Sequence, residues 1–313
     1  FSQRKMARLL LLILSAFTAL IEASGNTVNG AADFNWNSIE PSRQLEYHDC
    51  YPGRQCARLI LPLDWLNDTN TETVKIAIIK KPAVVNDDDP SFGGTIFGQP
   101  GGPGISGVDF SLLRGDMLQD LIDMPGKKHF EILSFDPRGT GNSEPRIECF
   151  PNLSGNIRHL EGLVNGALDL SPASLSFSIA AAKADALQCE AEHGKFLSYV
   201  GTPNVARDML AILDKVDELR RETNAESKPE HSVNDGSDRL ELRSVATESN
   251  GTARLQYFGM SYGTLLGNYF ASMFPGRVGR MVLDSVVDAD DYANEQVRSP
   301  FMNVLDSFIH PIG

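Results

Sequence analysis

The residues best suited to chemistry are Phe258-Gly259-Met260-Ser261-Tyr262-Gly263-Thr264, a G-x-S-x-G string. It lies between an apolar β-type run, Leu255-Gln-Tyr-Phe258, and a helical stretch from Tyr262 to Phe274 that Pro275-Gly276 ends. A strand that turns sharply into a helix forces the residue at the bend into a strained backbone conformation. Residues two positions to either side must then be small, or their side chains meet the adjacent strand. The Ser261 hydroxyl is presented at the carboxyl edge of the sheet, at the positive end of a helix, where the Tyr262 N–H can stabilise an oxyanion. The chemistry this serves is acyl transfer through a covalent serine intermediate.

A two-donor oxyanion hole needs a second N–H group. Phe97-Gly-Gln-Pro100-Gly101-Gly102-Pro103-Gly104 closes an earlier strand, and its glycines let the backbone approach a substrate carbonyl. This loop lacks the spacing of G-x-x-x-x-G-K-[ST] and of G-x-G-x-x-G, which removes phosphate- and dinucleotide-binding readings. No C-x-x-C pair is present, so neither zinc nor thioredoxin-like redox chemistry has support. No cofactor and no metal are expected.

The elements that would hold these loops alternate between the two periodicities. Cys56–Asp64 and Thr73–Lys80 read as a β-hairpin, with Gly94–Phe97 and Phe130–Phe135 as further strands and Val108–Ile122 as a helix between them. Ser171–Cys189 is Ala-rich and helical. Asn204–Arg220 is amphipathic, with its acidic residues expected outside. Residues 221–251 lose apolar periodicity and read as an acidic surface insertion. Leu255–Phe258, the Tyr262 helix and Val278–Leu283 follow. The alternation predicts an α/β fold, a mainly parallel sheet with helices on both faces.

Composition is that of a globular chain: 313 residues, 42% apolar and 22% charged. With 28 basic residues against 41 acidic, the formal charge of −13 opposes nucleic-acid binding. Arg4, Lys5 and Arg8 precede an apolar run from Leu9 to Ile21, and Ala23-Ser24-Gly25 follows. That order describes a secretory signal peptide over 1–25, because the run is too short for the roughly 20 residues of a bilayer span. An exported protein without stable membrane insertion is expected. Its four cysteines favour disulfides and permit three pairings. The Pro-Gly turn inside Cys50–Cys56 favours that pair, leaving Cys149 with Cys189. Sequons at Asn67, Asn152 and Asn250 agree with export.

Four motifs in order resemble the α/β-hydrolases of the proline iminopeptidase superfamily, and most closely its secreted tripeptidyl-aminopeptidase-like branch. They are Cys56-Ala-Arg-Leu-Ile-Leu-Pro-Leu-Asp-Trp65, the Gly101–Gly104 loop, Asp136-Pro-Arg-Gly-Thr-Gly-Asn-Ser143, and the Ser261 string with Phe274–Asp284 after it. The resemblance implies an α/β-hydrolase fold formed by residues 26–313 as one domain portion. It implies Ser261 as nucleophile, the Gly102 and Tyr262 N–H groups as oxyanion hole, and a peptide or small acyl substrate. The function so implied is an exopeptidase releasing short N-terminal pieces, with a secreted esterase or a catalytically inert binding protein as alternatives. Pro100 stands where the iminopeptidases carry His, as in the aminopeptidase branch. Asp136 and Arg138 are read as an ion pair or turn clamp, not as catalytic groups. The family orders its triad Ser, acid, His. After Ser261 the only histidine is His310, three residues before the end, and Asp284 reads as a strand-end carboxylate. The triad acid and histidine, the last strands and the cap are therefore expected outside this chain, which by itself would be inactive or nearly so.

Overall fold

In the computed structural model of the protein, residues 34–150, 170–226 and 252–293 are described. The expected signal peptide, Asn152, Asn250, His310 and the insertion beyond residue 226 lie outside them. Seven strands are β1 (His48–Asp49), β2 (Gln55–Pro62), β3 (Thr73–Lys81), β4 (Phe92–Gln99), β5 (His129–Phe135), β6 (Leu255–Met260) and β7 (Val278–Asp284). The α-helices among the described residues are α1 (Gly107–Ile122), α2 (Pro172–His193), α3 (Thr202–Glu226), α4 (Tyr262–Met273) and the short α5 (Ala289–Ala293).

One sheet carries the strands in the order β1-β2-β3-β5-β4-β6-β7. The expected hairpin is there, with Cys56 opposite Ile79 and Pro62 opposite Thr73. From β5 through β7 the neighbours are parallel, as the strand–helix alternation requires. Alternate side chains of the central strands divide the core between the two faces. Phe97, Leu133, Phe135 and Ile76 pack with α3 and α4, while Ile96, Ile132 and Phe130 pack with α1. Phe97, Phe135 and Phe270 are among the largest fully buried side chains, each contributing roughly 2–3 kcal/mol by leaving water.

Both disulfides have the pairing that proximity favours, Cys50–Cys56 and Cys149–Cys189. Two expectations change. Residues 221–226, read as the start of an insertion, continue α3. Arg221 pairs with Asp217 one turn back, and such pairs support a helix without apolar periodicity. The acidic residues of α3 are also not all outside, because Asp208 is fully buried.

Candidate active site

Strand order fixes where a site can form. The connection from β4 through α1 leads to β5 on one side, while that from β6 through α4 leads to β7 on the other. β4 and β6 are neighbours, with Gln99 in register with Gly259, so the crevice at their carboxyl ends lies at a topological switch point. The Pro100–Gly104 loop and Ser261 meet there.

Ser261 has φ 52° and ψ −122°, a left-handed conformation costly for a residue with a Cβ. Several bonds hold it. Its N–H donates to the Asp284 carbonyl at 3.0 Å, and its own carbonyl accepts from Thr264 N at 2.9 Å and Thr264 Oγ1 at 2.6 Å. Thr264 Oγ1 in turn accepts from Val287 N at 2.9 Å. The small residues are required by contact. A Cβ on Gly263 would stand 2.6 Å from the Gln99 carbonyl oxygen, and one on Gly259 would stand 2.6 Å from that of Gly263. Tyr257, buried in β6, donates its hydroxyl to the same Gly263 carbonyl at 2.7 Å. Burial pushes the Tyr257 phenol far up, so it stays a donor at any physiological pH.

The Ser261 side chain is exposed at the amino end of α4, whose first N–H groups, beginning with that of Tyr262, lack intrahelical acceptors. Gly102, at φ 109°, lines the same cavity of about 500 Å³ as Ser261. Another neighbour escapes sequence reading. A Cβ on Gly101 would stand 2.9 Å from Ser261 Oγ and 2.7 Å from its Cβ, so the missing side chain is what leaves the hydroxyl room. The cavity is mainly apolar, lined by Ile105, Phe110, Met117, Leu121, Phe258 and Met260 among others. An arrangement of this kind can present a hydroxyl to a carbonyl carbon and N–H groups to the carbonyl oxygen.

The Asp136–Ser143 segment supports the site from below. Asp136 is buried and accepts from Ser106 Oγ at 2.6 Å, Val108 N at 2.9 Å and Asn142 N at 2.7 Å. It thereby ties the loop after β5 to the start of α1, and so to the end of the glycine loop. Burial raises the Asp136 carboxyl above its ordinary range, against hydrogen bonds that favour the anion. Arg138 is the ion-pair member, but its partner is Asp208 of α3, 70 residues away, both side chains fully buried. Arg138 also donates to the carbonyls of Leu63 and Pro62, and Trp65 donates to Asp208 Oδ1 at 2.9 Å. Of the other candidates, Asp284 lines the Ser261 cavity at the end of β7. His48, His129 and His193 are absent from the cavity lining; His129 contacts Asp123, and His193 accepts from Glu148 N. Among the described residues no cluster of His, Cys, Asp or Glu could hold a metal ion, and no helix is long and apolar enough to cross a membrane.

Residues 95–308 match a family described as having the alpha/beta hydrolase fold. Over 239 residues the chain is 30% identical to the serine protease Hip1 of Mycobacterium tuberculosis, covering 75% of this chain and 36% of that protein. It is 26% identical over 237 residues to the tripeptidyl aminopeptidase of Streptomyces lividans, covering 75% and 35%. With carboxylesterase B of Mycobacterium tuberculosis it shares 31% identity over 156 residues, covering 50% and 28%. The chain spans about a third of the length of these curated relatives.

Proposed function

The chain belongs to the α/β-hydrolase fold family, and from that membership we propose that it forms the nucleophile half of a serine hydrolase, with Ser261 as the attacking group. The observation that carries the reading is the strained, exposed Ser261 facing space that Gly101 leaves empty. The hydroxyl oxygen attacks a substrate carbonyl while a base takes its proton. The Gly102 and Tyr262 N–H groups hold the oxyanion, its collapse expels the leaving group, and water then hydrolyses the acyl-serine. The base is sought outside the described residues, since none of the described histidines lines the Ser261 cavity.

The substrate proposed is a peptide with a free amino terminus, from which short pieces are released. The similarity to a tripeptidyl aminopeptidase and to a serine protease supports this. An ester substrate is the second reading, favoured by the apolar lining at Ser261 and by the carboxylesterase relative. Export is proposed with it, supported by two disulfides, which persist in oxidising compartments. A fluorophosphonate should label the full-length gene product, and Ser261→Ala should abolish the label. Labelling that survives the substitution refutes the nucleophile assignment. Free-amino-terminus peptides set against simple esters then separate peptidase from esterase.

A further inference from the structure

Two cavities flank the Pro100–Gly104 loop, and they differ in chemistry. The one at Ser261 is mainly apolar. The other, of about 440 Å³, lies against Pro103–Gly104, the 137–141 turn and Tyr262. No Asp or Glu lines it among the described residues, in a chain where acidic residues outnumber basic ones 41 to 28. Its two cations are Arg138 and Arg146. Arg138 is already neutralised by Asp208 and capped by two carbonyls. Arg146 is exposed, and among the described residues its guanidinium has no acceptor.

The backbone under Arg146 is nonetheless fixed. Arg146 bridges to Gly139, and the next residue, Ile147, donates its N–H to the Gly139 carbonyl at 2.9 Å. Two residues earlier, Glu144 exchanges both backbone hydrogen bonds with Lys75 at 2.8 Å. The Glu144 carboxylate accepts from Arg58 at 2.6 Å and from Lys75 at 2.7 Å. A guanidinium on an anchored backbone, facing a cavity that no carboxylate lines among the described residues, is suited to bind an anion from outside. Its planar fork matches a carboxylate. The cavity is lined by Tyr262, the residue next to Ser261, which sets it beside the reacting centre.

We propose that Arg146 forms a specificity subsite for a carboxylate of the substrate. Its place in turnover rests on the reading of Ser261 as nucleophile, but binding does not. The test is therefore equilibrium binding to the full-length gene product carrying Ser261→Ala. Three peptides are titrated calorimetrically: Ala-Ala-Ala with a free carboxyl end, the same peptide amidated, and amidated Ala-Glu-Ala. The expected result is about fivefold tighter binding of a carboxylate-bearing peptide than of the neutral one, as for a partly exposed ion pair. That ratio should fall to about one in Arg146→Gln. Preference for the free end assigns a terminal carboxylate, and preference for the Glu peptide assigns a side chain. Equal affinities, no binding of any peptide, or a preference that persists in Arg146→Gln overturns the proposal. Fluorophosphonate labelling that survives Ser261→Ala would instead overturn the nucleophile reading and leave this comparison intact.

Discussion

Gly101→Ala isolates the space beside the nucleophile from the stability of the fold. The new Cβ would stand 2.7 Å from Ser261 Cβ and 2.9 Å from its Oγ, where carbon contacts normally begin at about 3.5 Å. Something must move by roughly 0.6–0.8 Å, and Ser261 is held from behind by Asp284 and Thr264. The hydroxyl rotamer or the glycine loop therefore gives way. A displacement near 1 Å at a reacting atom costs on the order of 10²-fold in rate, about 2.7 kcal/mol of barrier. Gly101 does not have the positive φ found at Gly102 and Gly104, so alanine adds no left-handed strain and the fold should persist. The assay is the second-order rate of fluorophosphonate labelling, measured beside thermal unfolding. Gly126→Ala is the matched control. Its φ of 72° imposes about 1–2 kcal/mol of strain in open space, lowering stability with no contact to Ser261. Labelling of Gly101→Ala within threefold of wild type, at unchanged unfolding temperature, would refute the steric reasoning.

Asp208→Asn should destabilise by about 3–5 kcal/mol in denaturant titration, because it leaves the Arg138 guanidinium buried and uncompensated. Removing Cys149–Cys189, whose sequence separation is 40, should cost about 4 kcal/mol by loop entropy. Removing Cys50–Cys56, with a separation of 6, should cost about 2 kcal/mol, and calorimetry of the paired Ser variants orders the two. Lys75 and Arg58 hold the Glu144 carboxyl below its ordinary range. A depressed folded-state pKa contributes stability above the unfolded value of about 4.3 and loses it as pH falls through the folded value. Glu144→Gln should therefore flatten that acid limb of the unfolding profile, and an unchanged limb would remove Glu144 from the account.

Much of the scaffold was legible because it is set by residues close in sequence. The hairpin, the parallel strands and the central helices follow from alternation and periodicity, and the observed boundaries differ mostly by a residue or two. The boundary at Arg220 failed because α3 continues on charge pairing instead of an apolar stripe. The Cys50–Cys56 pair was legible from its short loop. Asp136 and Arg138 were legible as structural groups, yet Asp208 was placed outside because acidic residues on an amphipathic helix ordinarily face water.

By itself the sequence determined the bend at Ser261. The chain folds back on its own next turn there, so Gly259 and Gly263 are dictated by contacts within a few residues and with one adjoining strand. Tertiary structure alone decided what surrounds that bend. Gly101 opens space beside Ser261 Oγ, Asp208 neutralises Arg138, and Arg146 is left facing a cavity that no carboxylate lines among the described residues. The physical reason is that these contacts join residues far apart in the chain, brought together only when β4, β5 and β6 settle into their spatial order. Volume and charge complementarity across such distances leave no periodicity to read.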